Sequence, residues 1–242
     1  MVQGLPFGFQ ATALPAYLRA SGVSLTEIAL LDLLALPWLF KVLWAPVVDR
    51  HHSPRWGRRR SWILPMQLLL AAVCGCAAFA SPDRTLGLLL GLVFSANLVA
   101  ATLDVAVDGL AVDLLDRRHL GLGNTAQVVG FKIGMLLGGG LLVWASKWIG
   151  WPGLFGSMSG LTLLAFGISW VQREPEARPD PAGSDPDAPE TPFWTLLRKA
   201  VFGRDTWALA VVVATYKIGE KMADSVWGPY LIDQGRTPET LG

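Results

Sequence analysis

The chain has 242 residues, 52% of them hydrophobic and 16% charged, with 20 Lys and Arg against 19 Asp and Glu. A charged fraction well below the roughly 25% of soluble domains, with a positive mean hydropathy, makes lipid the solvent for most of the chain. The near-neutral balance excludes a nucleic-acid partner, and three histidines and two cysteines at no metal-ligand spacing exclude a metal site, so no cofactor is expected.

Apolar stretches near the 20 or so residues needed to cross a bilayer as a helix predict seven membrane helices, at Val2–Leu18, Leu25–Val48, Ser61–Ala80, Thr85–Leu115, Leu120–Ser146, Gly153–Val171 and Thr206–Ile232. The first is short and reads as a helix clipped at its start. It lacks a basic leader, so Ala11-Thr12-Ala13 is not taken as a signal-peptide cleavage site. Cys74 and Cys76, two apart in the third stretch, should point in different directions as small packing residues.

The stretch PWLFKVLWAPVVDRHHSPRWGRRR, from Pro37 to Arg60, sets the orientation. It ends in a short turn crowded with Arg50, Arg55, Arg58, Arg59 and Arg60 between two apolar helices, which is how a cytoplasmic loop looks under the positive-inside rule. Alternate loops on that side hold 12 Lys and Arg and the others hold four, predicting a cytoplasmic N-terminus. Four lysines remain inside helices: Lys41, Lys132, Lys217 and Lys221.

Residues 1–171 therefore read as one six-helix membrane half. Residues 172–192, rich in Pro, Asp, Glu and Gly, read as a disordered cytoplasmic linker. Residues 193–204 read as an amphipathic helix on the membrane surface, and 205–242 as a seventh helix and the incomplete start of a second half. A faint repeat supports the last reading: a shift of 213 positions superimposes Gly22, Ser24 and Ile28 on Gly235, Thr237 and Leu241.

Ionised side chains within lipid cost at least a few kcal/mol each, so they face a polar cavity or one another. Asp104 and Asp108 share a face of the fourth helix, with Asp113 near its end, and Asn124, Gln127 and Lys132 lie on the fifth. Lys41, Asp104 and Lys132 come out at comparable depths and are expected to form one charged cluster. On the seventh helix Lys217, Glu220, Lys221 and Asp224 make a single stripe facing the protein interior. These charges either line a path for an ionic substrate and protons or only lock helices together. Gly130, Gly134 and Gly138 form a small-residue ridge on the fifth helix, and Gly156 and Gly160 repeat the spacing on the sixth, where close helix approach is expected.

Several motifs resemble the major facilitator superfamily. Ala45-Pro46-Val47-Val48-Asp49-Arg50 followed by Gly57-Arg58-Arg59-Arg60 is similar to its signature between helices two and three. Ala45 replaces the usual glycine, and His51 to Trp56 lengthen the turn. Those departures, with Lys41, Trp44, Pro46 and Asp49, resemble the acetyl-coenzyme A transporter and AmpG-like permease branch. So do Gln3-Gly4-Leu5-Pro6, the stretch Asp104 to Asp113, and Gly123-Asn124-Thr125-Ala126-Gln127 with Phe131-Lys132, closest to the orphan proteins of the domain-containing-three type.

The resemblance implies an all-α, twelve-helix bundle working by alternating access, of which this chain would hold the N-terminal half plus helix seven, apparently truncated. It implies a cytoplasmic gate of Asp49, Arg50, Gly57, Arg58, Arg59, Arg60 and Asp113, with Asp116 as a further candidate partner. The fifth helix lacks the proline common in antiporters of the superfamily, which argues against an antiporter.

The leading expectation is a proton-coupled secondary transporter in the bilayer for an organic anion or peptide-like solute, acetyl-coenzyme A-like or muropeptide-like. Its path would be lined by Lys41, Asp104, Asp108, Gln127, Lys132, Lys217, Glu220, Lys221 and Asp224. If the source is bacterial, the membrane would be the inner one. The alternative is a non-transporting membrane interaction protein or an inactive fragment. An enzyme is not expected, since no nucleophile motif, histidine pair or metal spacing is present.

Overall fold

The computed structural model describes residues 1–20, 24, 28, 30–53, 56–80, 82–116 and 118–172, and isolated positions between 195 and 219. All of its regular elements are helical. Two compact units divide the chain, Met1–Pro181 and Ala182–Gly242. Among the described residues, the long helices of the first number six. Helix α1 (4–20) consists of Gly4–Gly8, a π-turn at Phe9–Ala13, and Leu14–Ala20. Helix α2 (30–50) opens with a 3-10 turn, Leu30–Ala35, and continues as Leu36–Arg50. Helix α3 is Arg60–Ala77 and α4 is Pro82–Leu114. Helix α5 (120–149) carries a second π-turn at Leu137–Leu141, and α6 occupies 151–171.

Among the described residues, six long helices before residue 172 agree with the apolar segmentation. The join between the last two does not. A loop was expected from 147 to 152, whereas the helices are separated only at Gly150, with φ 67° and ψ −176°. Glycine reaches that region without a Cβ penalty, and Pro152 then tolerates the start of a helix, where its missing N–H is not needed. One residue therefore reverses the chain. Leu30–Arg50, Arg60–Ala77, Thr85–Leu114 and Leu120–Val171 are each long and apolar enough to cross a membrane, the last of them folded in two at Gly150.

Helix α3 packs between α4 and α6, α2 lies against α4, and α1 lies against α5. The core runs through Leu5, Phe9 and Leu14 of α1, Leu64, Leu70 and Cys74 of α3, Leu89 and Leu103 of α4, and Leu154, Phe155 and Met158 of α6. Cys74 is buried and Cys76 exposed, as their spacing requires. Leu39, Leu122, Leu136 and Val171 stay more than two-thirds exposed. Helices whose backbone groups are satisfied internally and whose outer surface is apolar suit lipid.

Glycines decide the closest approach. A Cβ on Gly8 would lie 2.3 Å from the Met135 carbonyl oxygen, and one on Gly138 would lie 2.1 Å from that of Leu5. The ridge expected on the fifth helix is thus met by Gly4 and Gly8 of α1, a pairing the sequence reading missed. Thr12 Oγ1 also donates to the Gly139 carbonyl at 2.9 Å, tying the two π-turns together. Gly156 and Gly160, expected to mark a second close approach, have no described atom within 4 Å of a Cβ placed on them.

In the second unit, the described positions between Trp207 and Gly219 are helical and exposed. The linker at 173–192, the surface helix at 193–204 apart from Thr195, both partners of the repeat apart from Ser24 and Ile28, and the charges Lys217, Glu220, Lys221 and Asp224 lie outside the described residues.

Candidate functional site

Asn97, Asp104 and Asp108 recur at seven- and four-residue spacing on α4, so they form one polar stripe, and α2 presents Trp38, Lys41 and Trp44 to it. The seam is cross-bonded throughout its length. Trp38 Nε1 donates to Asn97 Oδ1 at 2.9 Å, Trp44 Nε1 donates to Thr102 Oγ1 at 3.2 Å, and Lys41 Nζ donates to Asp104 Oδ2 at 2.5 Å. Lys41 is also 3.8 Å from Asp108 Oδ2.

Counting about 1.5 Å per residue, Lys41 and Asp104 each lie about 14–15 Å from the ends of their helices beside the basic loop, well inside the apolar span. A charge-assisted hydrogen bond is the interaction that makes two charges tolerable there. Two carboxylates share one ammonium, so the group carries an excess negative charge when both are ionised.

A cleft of about 250 Å³ opens on this group, lined by Trp38, Asp104, Asp108, Asn124, Gln127, Val128 and Phe131. Gln127 Nε2 donates to Asp108 Oδ1 at 2.9 Å. Asp104 is the more enclosed carboxylate, with 19% of its side chain exposed against 51% for Asp108. The expectation that Lys132 would join Lys41 and Asp104 is not met: Asp104 is partnered by Lys41, and Lys132 is exposed with no ion pair among the described residues. Lys132 follows Val128 by one helical turn, which puts it on the flank of the cleft.

The second constellation closes the basic loop against α4. Arg59 Nε donates to Asp113 Oδ2 at 2.6 Å, and Arg59 Nη1 pairs with Asp49 at the end of α2. Gly109 makes room for it: a Cβ there would lie 2.3 Å from Arg59 Cζ. Only 6% of the Arg59 side chain is exposed.

Burial alone would lower the Arg59 pKa. The hydrogen bonds to Asp113 and Asp49, with the charges of both, outweigh burial and hold it above the ordinary arginine value. A base with a raised folded-state pKa contributes stability that is complete below its unfolded value and is lost only above it. This latch therefore persists across the physiological range.

The neighbouring arginines act differently. Arg58 Nε donates to the Asp49 carbonyl at 3.3 Å, and Arg60 Nη2 donates to the Trp170 carbonyl at 2.9 Å at the end of α6. Arg50 is exposed and makes no ion pair among the described residues. Asp116 Oδ2 lies 3.9 Å from His119 Nδ1. Gly57, at φ 90°, supplies the left-handed turn that brings Arg59 back over α4.

Arg59→Ala would leave Asp49 and Asp113 without a counter-charge and should cost about 3 kcal/mol. The expected readout is a lower thermal midpoint in detergent, with Arg59→Lys, which cannot bridge both carboxylates in the same fork, falling between. An unchanged midpoint for Arg59→Ala would show that the latch contributes no stability.

Six helices among the described residues, a charged pair deep in the apolar span and a basic loop closed by an arginine held between two carboxylates mark a multi-pass membrane protein. The chain belongs to the major facilitator superfamily, whose profile matches residues 1–231. It is 30% identical over 233 residues to the "Anhydromuropeptide permease" of Escherichia coli strain K12, covering 95% of this chain and 46% of that protein. It is 30% identical over 142 residues to the "Putative transporter AmpG 4" of Rickettsia felis, covering 57% of this chain and 34% of the relative. An uncharacterized protein of Haemophilus influenzae is 28% identical over 249 residues, covering 98% of this chain and 56% of its own length. The chain spans about half the length of the curated relatives that it matches over most of its own length.

Proposed function

We propose that the protein is a secondary active transporter that carries an anionic, peptide-like solute by alternating access and couples its movement to protons. The observation that supports this most directly is the Lys41, Asp104 and Asp108 group, held inside the apolar span and open to a cleft. A solute carboxylate entering the cleft competes for the Lys41 ammonium and is met on the flank by Lys132. A carboxylate that loses its share of Lys41 in a low-dielectric site then gains a reason to take a proton. In this way solute and proton are bound together.

The name of the Escherichia coli relative makes a muropeptide-like solute the first candidate. In this reading residues 1–171 form one half of the transporter and 172–192 the link. Residues 193–204 lie on the membrane surface. Residues 205–242 begin the other half, where Lys217, Glu220, Lys221 and Asp224 would complete the path. Asp49, Arg59 and Asp113, supported by Gly57, Arg58 and Arg60, form the latch of the inward-facing gate, with Arg50 at its margin. The N-terminus and the basic loop face the cytoplasm, across the inner membrane if the source is bacterial.

Full-length protein in liposomes should accumulate labelled anhydromuropeptide when a proton gradient is imposed and should release it when a protonophore is added. Uptake that only equilibrates, whatever the gradient, would reject proton coupling. No uptake under any gradient would reject the muropeptide-like solute. Orientation is checked on the same protein in cells lacking Cys74 and Cys76: a cysteine at His52 should be shielded from an impermeant thiol reagent, and labelling from outside would invert the topology.

A further inference from the structure

Asn97 is fully buried, and its side-chain amide is committed on every side. Oδ1 accepts the Trp38 indole N–H at 2.9 Å, while Nδ2 donates to Gln10 Oε1 at 2.5 Å and to the Val93 carbonyl at 3.0 Å. Gln10, also buried, passes the chain on by donating from Nε2 to the Leu31 carbonyl at 3.1 Å in the 3-10 turn of α2.

The direction of this chain is fixed at both ends, because an indole nitrogen can only donate and a carbonyl oxygen can only accept. Neither amide can flip without leaving a buried polar group unpaired, which costs more than the hydrogen bond itself is worth. A fully satisfied amide pair linking α1, α2 and α4 thus terminates on one side chain, Trp38. That indole is gripped by rings as well, with Phe7 at 5.9 Å and Phe131 at 5.5 Å between centroids, both edge-on. It lines the cleft beside Asp104, Asp108 and Gln127, and the Lys41 ammonium lies 5.9 Å from its centroid.

We infer that Asn97, braced by Gln10, is a positioning residue for Trp38, and that Trp38 is a solute-contacting wall of the cleft. The second part rests on the transporter reading above; the first does not. Burying two amides in an apolar bundle where leucine would pack has a structural consequence only through what they orient, and the one side chain they orient that reaches the cleft is Trp38. No sequence pattern singled out Gln10, Trp38 or Asn97, although Asn97 stands seven residues before Asp104 on the same stripe.

Trp38→Leu in the full-length protein should raise the KM for labelled anhydromuropeptide about five- to tenfold, the scale of one lost ring contact, and leave the maximal rate within about twofold. Asn97→Leu should raise KM in the same way, and the double replacement should be no worse than Trp38→Leu alone, because Asn97 acts through Trp38. Fluorine NMR of fluorotryptophan-labelled protein gives a readout without solute. The Trp38 line, identified by its loss in Trp38→Phe, should shift and broaden in Asn97→Leu and shift less in Gln10→Leu.

Additive losses in the double replacement, or an unmoved Trp38 line in Asn97→Leu, would overturn the inference. If Asn97→Leu does not accumulate, the Gln10→Leu line decides, and no shift there overturns it. If the unaltered protein does not take up anhydromuropeptide, the proposed solute fails on its own account and the fluorine line still decides the role of Asn97.

Discussion

Asp104→Asn in the full-length protein should reduce proton-driven accumulation to simple equilibration while the protein remains in the membrane. Asp104 is the carboxylate that holds Lys41 at 2.5 Å, and Asp108 is the second claimant at 3.8 Å. Removing the Asp104 charge turns a shared ammonium into a one-to-one pair with Asp108, so the excess carboxylate that a proton would neutralise is gone. Lys41→Gln should be worse for the fold, because it leaves two carboxylates facing each other without a cation; stranding buried charge in this way costs about 3–5 kcal/mol.

The double replacement Asp104→Asn with Lys41→Gln separates mechanism from architecture. If the pair only locks α2 to α4, the double variant regains the stability lost in Lys41→Gln and transports normally. If the pair belongs to the path, stability returns and coupled accumulation does not. Normal proton-driven uptake by a well-folded double variant would remove Lys41 and Asp104 from the mechanism. Lys132→Gln provides a contrast. Lys132 has no ion pair to lose among the described residues, so it should weaken solute affinity without a large change in stability.

The second large effect is expected at the crossing of α1 and α5. Gly8→Val and Gly138→Val each drive a side chain into backbone that cannot step aside, with the first added carbon 2.3 Å from Met135 O and 2.1 Å from Leu5 O. Overpacking of this kind costs about 1–3 kcal/mol where side chains can adjust, and here the obstruction is main chain, so the upper end or beyond applies. Loss of the monodisperse peak in detergent chromatography is the expected result for both variants. Gly156→Ala and Gly160→Ala have open space around the new carbon and should behave as the unaltered protein does. A stable, monodisperse Gly138→Val would mean that α1 and α5 do not meet at this distance.

The helical segments described before residue 172 and the positions of Lys41 and Asp104 along them were legible in the sequence, because both depend on position along one helix axis. An apolar run of bilayer length becomes a helix whatever its neighbours are, since lipid offers its backbone no other partner. A rise of about 1.5 Å per residue then places Lys41 and Asp104 at matching heights. The spacing of Asp104 and Asp108 placed them on one face, and the glycine ridge of the fifth helix announced a close contact, though not with which helix.

Tertiary structure decided what depends on rotation about the axes and on which helices are neighbours. Lys41 and Lys132 have similar depth, yet only Lys41 stands opposite Asp104, because α2 packs along the α4 stripe and Lys132 lies on the flank of α5. Of three consecutive arginines, Arg59 is the one whose ion pairs with Asp49 and Asp113 are described. The left-handed Gly57 aims it over Gly109, and the adjacent residues diverge to the Asp49 and Trp170 carbonyls. The Gln10, Asn97 and Trp38 relay was invisible for the same reason: it joins residues 87 and 59 positions apart, and nothing local to any one of them encodes the others. Periodicity along a chain reports depth and face, whereas pairing between helices is a property of their packing.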